Sequence, residues 1–292
     1  MKTSRLRFGA ILPVTVLLFA SAHSQAVIAY LGGNYSDTLD ELGIAPSTWA
    51  NDATGPGWFA YRDGSDQVAI SSSIWVPISV PPNNYYQTST GQGFPGKLLN
   101  FGTSDSSANR ALGANPSSTS YTFALVLRND TGTALTDFTL SYYGEQWHKD
   151  GLNSLSFSYG VFSDFADQTI APNGGNGGNF YAGYSVPAGN ALDFSPFVFT
   201  NSGGSSTPLD GTDPANRQLR SATQSVNWLA GQYLVLRWLA AQPGVGGNVS
   251  SMLAVDDVIV TTTPTPEPAS AALLALGALL LGARRKRPAL AA

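Results

Sequence analysis

No cysteine occurs among the 292 residues, so disulfide staples, thiol nucleophiles and Cys-ligated zinc are excluded, and an ordinary apolar core must hold the fold. Histidine is almost as scarce. His23 lies in a leader-like segment, which leaves His148 as the one imidazole of the body. A multi-histidine zinc site is therefore excluded, and a Ser-His-Asp triad would rest on His148 alone, with no G-x-S-x-G elbow to supply its serine. His148 is expected to be an exposed residue at a strand end. Charge is thin as well, at 12% of residues. Residues 27–263 carry eight Lys and Arg against eighteen Asp and Glu, which rules out nucleic-acid binding through a basic face. Only two of those acids are glutamates, Glu41 and Glu145. A glycosidase needs two carboxylates, one held protonated. Glu145 in Gly-Glu-Gln-Trp is a candidate acid, but a structural carboxylate is the simpler reading, and the body is expected to be non-enzymatic.

The two ends differ from the rest. MKTSRLRFGAILPVTVLLFASAHSQA has Lys2, Arg5 and Arg7, then an apolar stretch, then small residues, the layout of a secretory signal peptide over 1–26, with cleavage after Ala22 or Ala26. At the other end, Ala269 to Gly282 contains no charge and is bounded by Pro268 and by Arg284, Arg285, Lys286 and Arg287. A helix over 269–283 would extend about 22 Å against a hydrocarbon core of about 30 Å, so it spans only with bilayer thinning or snorkelling cations. The basic cluster 284–287 keeps that end cytoplasmic while the signal peptide sends the body across.

Pro266-Glu267-Pro268, the Ala/Leu/Gly run and the Arg-rich cluster together resemble the PEP-CTERM sorting signal of Gram-negative bacteria. The resemblance implies an exosortase-type enzyme as partner, a membrane stop that is read and removed, an inner-membrane intermediate, and delivery to the periplasm, outer surface or an exopolysaccharide or biofilm matrix. The chain thus divides into signal peptide 1–26, body 27–263 and sorting signal 264–292.

Within the body, helical periodicity is scarce and two-residue alternation frequent, punctuated by Gly, Pro, Asn and Asp. Tyr121, Phe123, Leu125 and Leu127 share one face of a strand, as do Phe138, Leu140 and Tyr142. The intervening RNDTGTAL predicts a turn joining them as an antiparallel hairpin. Further strands are expected at 67–76, 98–102, 152–162, 192–199, 217–226, 233–241 and 252–261. The pattern is all-β, an antiparallel β-sandwich of one domain. Along STWANDATGPGWFAYRDG, ANRALGA, YYGEQWHKDG, LSFSYGVF, LDGTDPANRQ, LVLRWLAAQ and LAVDDVIV, the body is similar to a recurring domain of exported PEP-CTERM proteins. That resemblance implies a jelly-roll-like order and location, not an activity.

Three sets of body residues stand out. Arg110 and Glu145 flank apolar strands where unpaired charge is costly, and are expected to pair. Trp58 and Trp75, beside Pro- and Gly-rich turns, are candidate stacking platforms for exopolysaccharide, while Trp147 and Trp238 sit in strand patterns as core. In Leu-Ala-Val-Asp-Asp-Val-Ile-Val, alternation places Leu253, Val255, Asp257 and Ile259 on one face and Ala254, Asp256, Val258 and Val260 on the other. One aspartate must then be buried. The strand resembles the closing strand of galactose-binding-like jelly rolls, which implies a structural Ca²⁺ held by Asp256 or Asp257 with Asp40 or Glu41. Hydrogen bonds from backbone amides, or an arginine such as Arg237, are the alternative. No other cofactor is expected. The functional expectation is a structural or adhesive envelope or matrix protein, with a carbohydrate-binding module second and a hydrolase third.

Overall fold

A computed structural model of the chain describes residues 27–42, 47–62, 74–79, 97–103, 107–116, 120–149, 154–166, 170, 183–195, 207–241, 251–263 and 276–278. The expected signal peptide and Pro266, Glu267, Pro268, Arg284, Arg285, Lys286 and Arg287 lie outside these residues. Of the helix expected over 269–283, only residues 276–278 are described, and they are helical. No described helix is long and apolar enough to cross a membrane.

Fourteen strands are described: β1 (Ile28–Tyr30), β2 (Asn34–Asp37), β3 (Ser47–Thr48), β4 (Trp58–Arg62), β5 (Ile74–Ser79), β6 (Lys97–Gly102), β7 (Ala111–Asn115), β8 (Tyr121–Asn129), β9 (Leu135–Lys149), β10 (Leu155–Phe162), β11 (Thr207–Pro208), β12 (Arg217–Trp228), β13 (Tyr233–Ala240) and β14 (Met252–Thr261). They form two sheets in which antiparallel pairing dominates. The smaller has the order β1-β8-β13-β10, with β4 also on β8; the larger has β11-β9-β14-β7-β6-β5-β3, with β12 also on β9 and β2 on β14. The sequence expectation of an all-β sandwich holds: strands stand at 98–102, 217–226, 233–241 and 252–261 and in the described part of 152–162, while of 67–76 only 74–76 lie among the described residues, at the start of β5. The short strands β1, β2, β4 and β7 carry too few residues to show a period. The strand expected at 192–199 is, in its described part, a single bridge from Phe194 to Leu155.

The expected hairpin of β8 and β9 does not form. β8 pairs with β1, β4 and β13 in the small sheet, whereas β9 pairs with β11, β12 and β14 in the large one. The segment between them arches from one sheet to the other. Alternation cannot distinguish two apolar faces lying side by side from two facing each other across a core. The arch is fixed by the buried Asn129, whose Nδ2 donates to the carbonyls of Thr133 and Trp228 and whose Oδ1 accepts from the backbone N–H and hydroxyl of Thr131.

The core lies between the sheets. Trp238 of the small sheet is its hub, stacked on Trp58 (5.6 Å) and Phe123 (6.0 Å) and met edge-on by Phe157 (5.3 Å) and by Tyr142 of the large sheet (5.5 Å). Both outer faces carry further apolar layers. Phe59, Tyr61, Val126 and Val235 cluster on the small sheet; Leu99, Phe101, Trp147 and Met252 cluster on the large one. Trp147 stacks on Phe101 at 5.5 Å. The loop before β12 closes over it so tightly that a Cβ on Gly211 would lie within the indole.

Candidate functional site

One edge of β14 serves two neighbours in turn. Leu253–Val255 pairs with β7 and Val258–Thr261 with β2, while the pairing with β9 skips between Asp256 and Ile259. Asp257 takes φ 49° at this bulge. Strict alternation fails here. Leu253 and Val255, then Val258 and Val260, all enter the central core, and the extra residue turns both aspartates toward the outer face. There the register sets Arg217 of β12 directly opposite Glu145 of β9. Arg217 Nε lies 3.5 Å from Glu145 Oε1, and its Nη2 lies 3.8 Å from Asp256 Oδ2 and 3.2 Å from Asp257 Oδ2. The guanidinium stacks over Tyr143, 3.8 Å from the ring centre. Glu145 Oε2 accepts from Trp147 Nε1 (3.0 Å), and Asp256 Oδ1 from the N–H of Asp257 (2.7 Å).

Glu145 and Asp256 are buried, and Glu145 Oε1, Asp256 Oδ2 and Arg217 Nε have no hydrogen-bond partner among the described residues. Burial first, then the charge of Asp256, pushes Glu145 up to about 9, against the pull of Arg217 and Trp147. Burial and then Asp257 push Asp256 up to about 7, with a smaller push from Asp40. One guanidinium cannot neutralise three carboxylates, so the cluster retains protons near neutral pH.

Glu145 does have an arginine partner, but that partner is Arg217. Arg110 lies just before β7, two strands from β9, and shares the parity of Leu112 and Ala114 in the central core, whereas Glu145 shares that of Trp147 outside it. Its Nε donates to the carbonyl of Ser107, and its backbone N–H to Asp40 Oδ1 (both 3.0 Å). Asp40 therefore faces β7 and β14, while Glu41 turns to Asp37, so the two acids proposed as alternatives point to different places. Arg237 sits on the small sheet, its Nε bonded to Ser158 Oγ (3.0 Å) and its guanidinium over Tyr184. No group of three metal-ligating side chains converges among the described residues. His148 is buried rather than exposed, because β9 runs on between β11 and β14; burial lowers it to about 4. Trp58 is a core residue, not a platform. Trp75 lies on β5, and its side chain is outside the described residues.

Sequence reasoning missed Arg217, although it stands in the quoted stretch LDGTDPANRQ. The only signal was the shortage of cations, since the pairing that brings it to Glu145 spans more than seventy residues.

Two grooves flank β2 and share Ser36, Asp37 and Thr38. One, of about 350 Å³, adds Tyr35 and Glu41; the other, of about 210 Å³, adds Tyr143, Leu219, Asp257 and Ile259. Asp37 anchors the wall between them, accepting from Trp58 Nε1 (2.8 Å), Tyr35 Oη (2.9 Å) and the N–H of Leu39 (2.7 Å). Glu41 is raised by burial and then by Asp37.

At the far end of β14 the chain is pinned by Tyr30 Oη to Thr262 Oγ1 (2.9 Å) and by the Thr263 N–H to Asp137 (3.0 Å). The next residues, 264–287, match the PEP-CTERM protein-sorting motif. The chain carries a PEP-CTERM sorting signal. The motif implies an exported protein processed by exosortase at the cell envelope. No curated protein matches the sequence. Among solved structures, the enzymatically active domain of tailspike protein 4 of bacteriophage CBA120 is similar at 11% identity, with a TM-score of 0.29, over 71% of this chain and 19% of that one. The K3 cleaved adhesin domain of Lys-gingipain from Porphyromonas gingivalis W83 is similar at 12% identity, with a TM-score of 0.34, over 74% and 99%. This chain therefore spans under a fifth of the tailspike domain.

Proposed function

We propose that this PEP-CTERM protein is released from an inner-membrane intermediate by an exosortase in a Gram-negative cell, and serves a structural or adhesive role on the outer surface or in an exopolysaccharide matrix, through a sandwich of the jelly-roll kind. The match at residues 264–287 carries the reading. A proline-bounded apolar run too short for a comfortable span, closed by four cations, is a stop that holds a translocated chain until it is cut. The body supports a non-enzymatic role, because Glu145, its best-buried acid, is engaged by Arg217 and Trp147. The test is expression in a host with and without exosortase, with the C-terminal mass measured on the surface and membrane fractions. Cleavage within 264–292 and surface recovery only when the enzyme is present are the expected result; an intact tail in both hosts overturns the reading.

A carbohydrate-binding module is the second reading. It is favoured by the grooves beside β2, where Tyr143, Leu219 and Ile259 adjoin the hydroxyls of Ser36, Thr38 and Ser141. Apolar patches with hydroxyl partners suit the two faces of a pyranose ring.

A further inference from the structure

Among the described residues β12 pairs with β9 and with no other strand. The N–H of Gln146 donates to the carbonyl of Asn216, next to the directly opposed pair Arg217 and Glu145. In an antiparallel ladder this places the backbone bonds to β9 at Asn216 and at every second residue after it, as far as the bulge beyond Ser225. Leu219, Ser221, Thr223 and Ser225, all with exposed side chains, therefore turn their N–H and C=O groups to the free edge. No described strand meets them, and the Thr223 carbonyl takes a local substitute, the side-chain amide of Gln224 (2.8 Å). The small sheet treats its edge strand β10 differently, with bridges from Phe194 and Ser185.

Nor is β12 guarded as edge strands usually are. It is twelve residues long and carries no Pro or Lys. Its cations, Arg217 and Arg220, stand at one end, which leaves 221–228 without charge. Its exposed face continues β9 in hydroxyl pairs, Ser221 with Ser141 and Thr223 with Thr139 (both 2.7 Å).

We propose that this edge pairs antiparallel with the same edge of a second copy of the chain, joining the two large sheets into one across a two-fold axis at Ala222. The sequence of β12 is complementary to itself in that register. Outward residues meet outward residues, Ser221 opposite Thr223 and Leu219 opposite Ser225. Arg217 and Arg220 fall opposite Asn227 and Gln224, so no cation faces a cation. Ala222, with its small side chain, meets its own copy on the axis, where the opposed pair is of the closely spaced kind. The hydroxyl row of Ser141 and Ser221 then runs on into Thr223 and Thr139 of the second copy. A contact of this isologous kind occupies both edges at once, so it stops at a dimer rather than growing into a fibre.

The test is sedimentation equilibrium of the full-length protein in detergent over a concentration series, in which a monomer–dimer equilibrium is expected. Ser221→Pro removes an N–H that points away from β9, so the ladder within the body stays whole while the dimer loses one donor from each copy. The dissociation constant is expected to rise at least about tenfold. Thr223→Lys, at an exposed position, sets a charge on each copy beside the axis and is expected to act in the same direction, which keeps the edge testable if the proline variant fails to fold. Because the chain has no cysteine, Ser221→Cys combined with Thr223→Cys reads the register. The two positions oppose each other across the axis at about 5.5 Å between Cα atoms, and mild oxidation is expected to trap a disulfide-linked dimer. A monomer mass throughout the series overturns the proposal. So does a dimer that persists in both the Pro and the Lys variants, which assigns the association to another surface. A dimer whose double-cysteine form stays unlinked overturns the pairing at Ala222.

Discussion

The two outer faces of the sandwich each bury an arginine over a tyrosine, and they treat it in opposite ways. On the small sheet Arg237 lies 3.5 Å from the centre of the Tyr184 ring, is closed off from solvent, and bonds to the neutral hydroxyl of Ser158. On the large sheet Arg217 lies 3.8 Å from the Tyr143 ring, keeps some exposure, and faces three carboxylates. In the first arrangement a π-face and a hydroxyl are among the groups that hold the cation. The second is a titrating one, because its net charge depends on how many protons Glu145 and Asp256 hold. The difference arises at the bulge, which turns two consecutive aspartates outward where regular alternation would have turned only one.

The largest test of that contrast is Arg217→Met. It leaves Glu145 and Asp256 buried without a cation and is expected to destabilise the body by about 3–5 kcal/mol at pH 9. The loss should shrink markedly at pH 5, where both acids are protonated; denaturant melts at the two pH values measure it. In the parent protein the native state keeps a proton on Glu145 that the unfolded chain releases above pH 4.5. Stability from this group is therefore complete below about pH 4.5 and is lost as pH rises toward 9, at up to about 1.4 kcal/mol per pH unit. Glu145→Gln should flatten that slope.

Arg237→Met is the counterpart. Its stack and its hydroxyl contact do not titrate between pH 5 and pH 9, and their loss is expected to cost about 2 kcal/mol at either pH. A pH-dependent loss would show that the small-sheet arginine is also balanced by a titrating acid, and the contrast would fail.

His148 sharpens the acid side. Its native pKa lies below the ordinary value, so the unfolded chain takes up a proton first, and stability is lost as pH falls from about 6.5 to about 4. At pH 5.5 the penalty relative to pH 7 is about 1 kcal/mol. His148→Gln should remove that part of the acid limb in a pH series of thermal melts.

Calcium is expected to have the smallest effect. With Arg217 already among the carboxylates, millimolar calcium after EDTA should move the melting midpoint by less than about 1 °C. A rise of several degrees would instead support an ion held by Asp256 or Asp257 with Asp40 or Glu41.

The long strands were legible because each carries enough residues for alternation to stand out, as in β12 and β13. The pairing of those strands was not. Tyr121–Leu127 and Phe138–Tyr142 showed their apolar faces clearly, but whether the faces lie side by side or oppose each other depends on Asn129 reaching a carbonyl ninety-nine residues away. At the site, Asp256 and Glu145 stood out as charges on apolar strands. Their partner did not, because the opposition of Arg217 to Glu145 is a register between distant segments. Trp58 misled for a related reason. Pro- and Gly-rich turns beside an indole suggest exposure, yet here they only bring β4 to the edge of β8 and drop the ring onto Trp238.

The place of β14 has a consequence for timing. It lies between β9 on one side and β7 and β2 on the other, in the middle of the large sheet, and it is also the last strand before the sorting signal. A chain threaded across a membrane from its N-terminus delivers that strand last, so the large sheet stays split, with β2 and β7 lacking their shared neighbour, until Thr261 has emerged. Three residues later the motif begins, a reach of about 10 Å for extended chain. On the proposed route, completion of the fold and arrival of the processing sequence at the membrane are thus nearly one event.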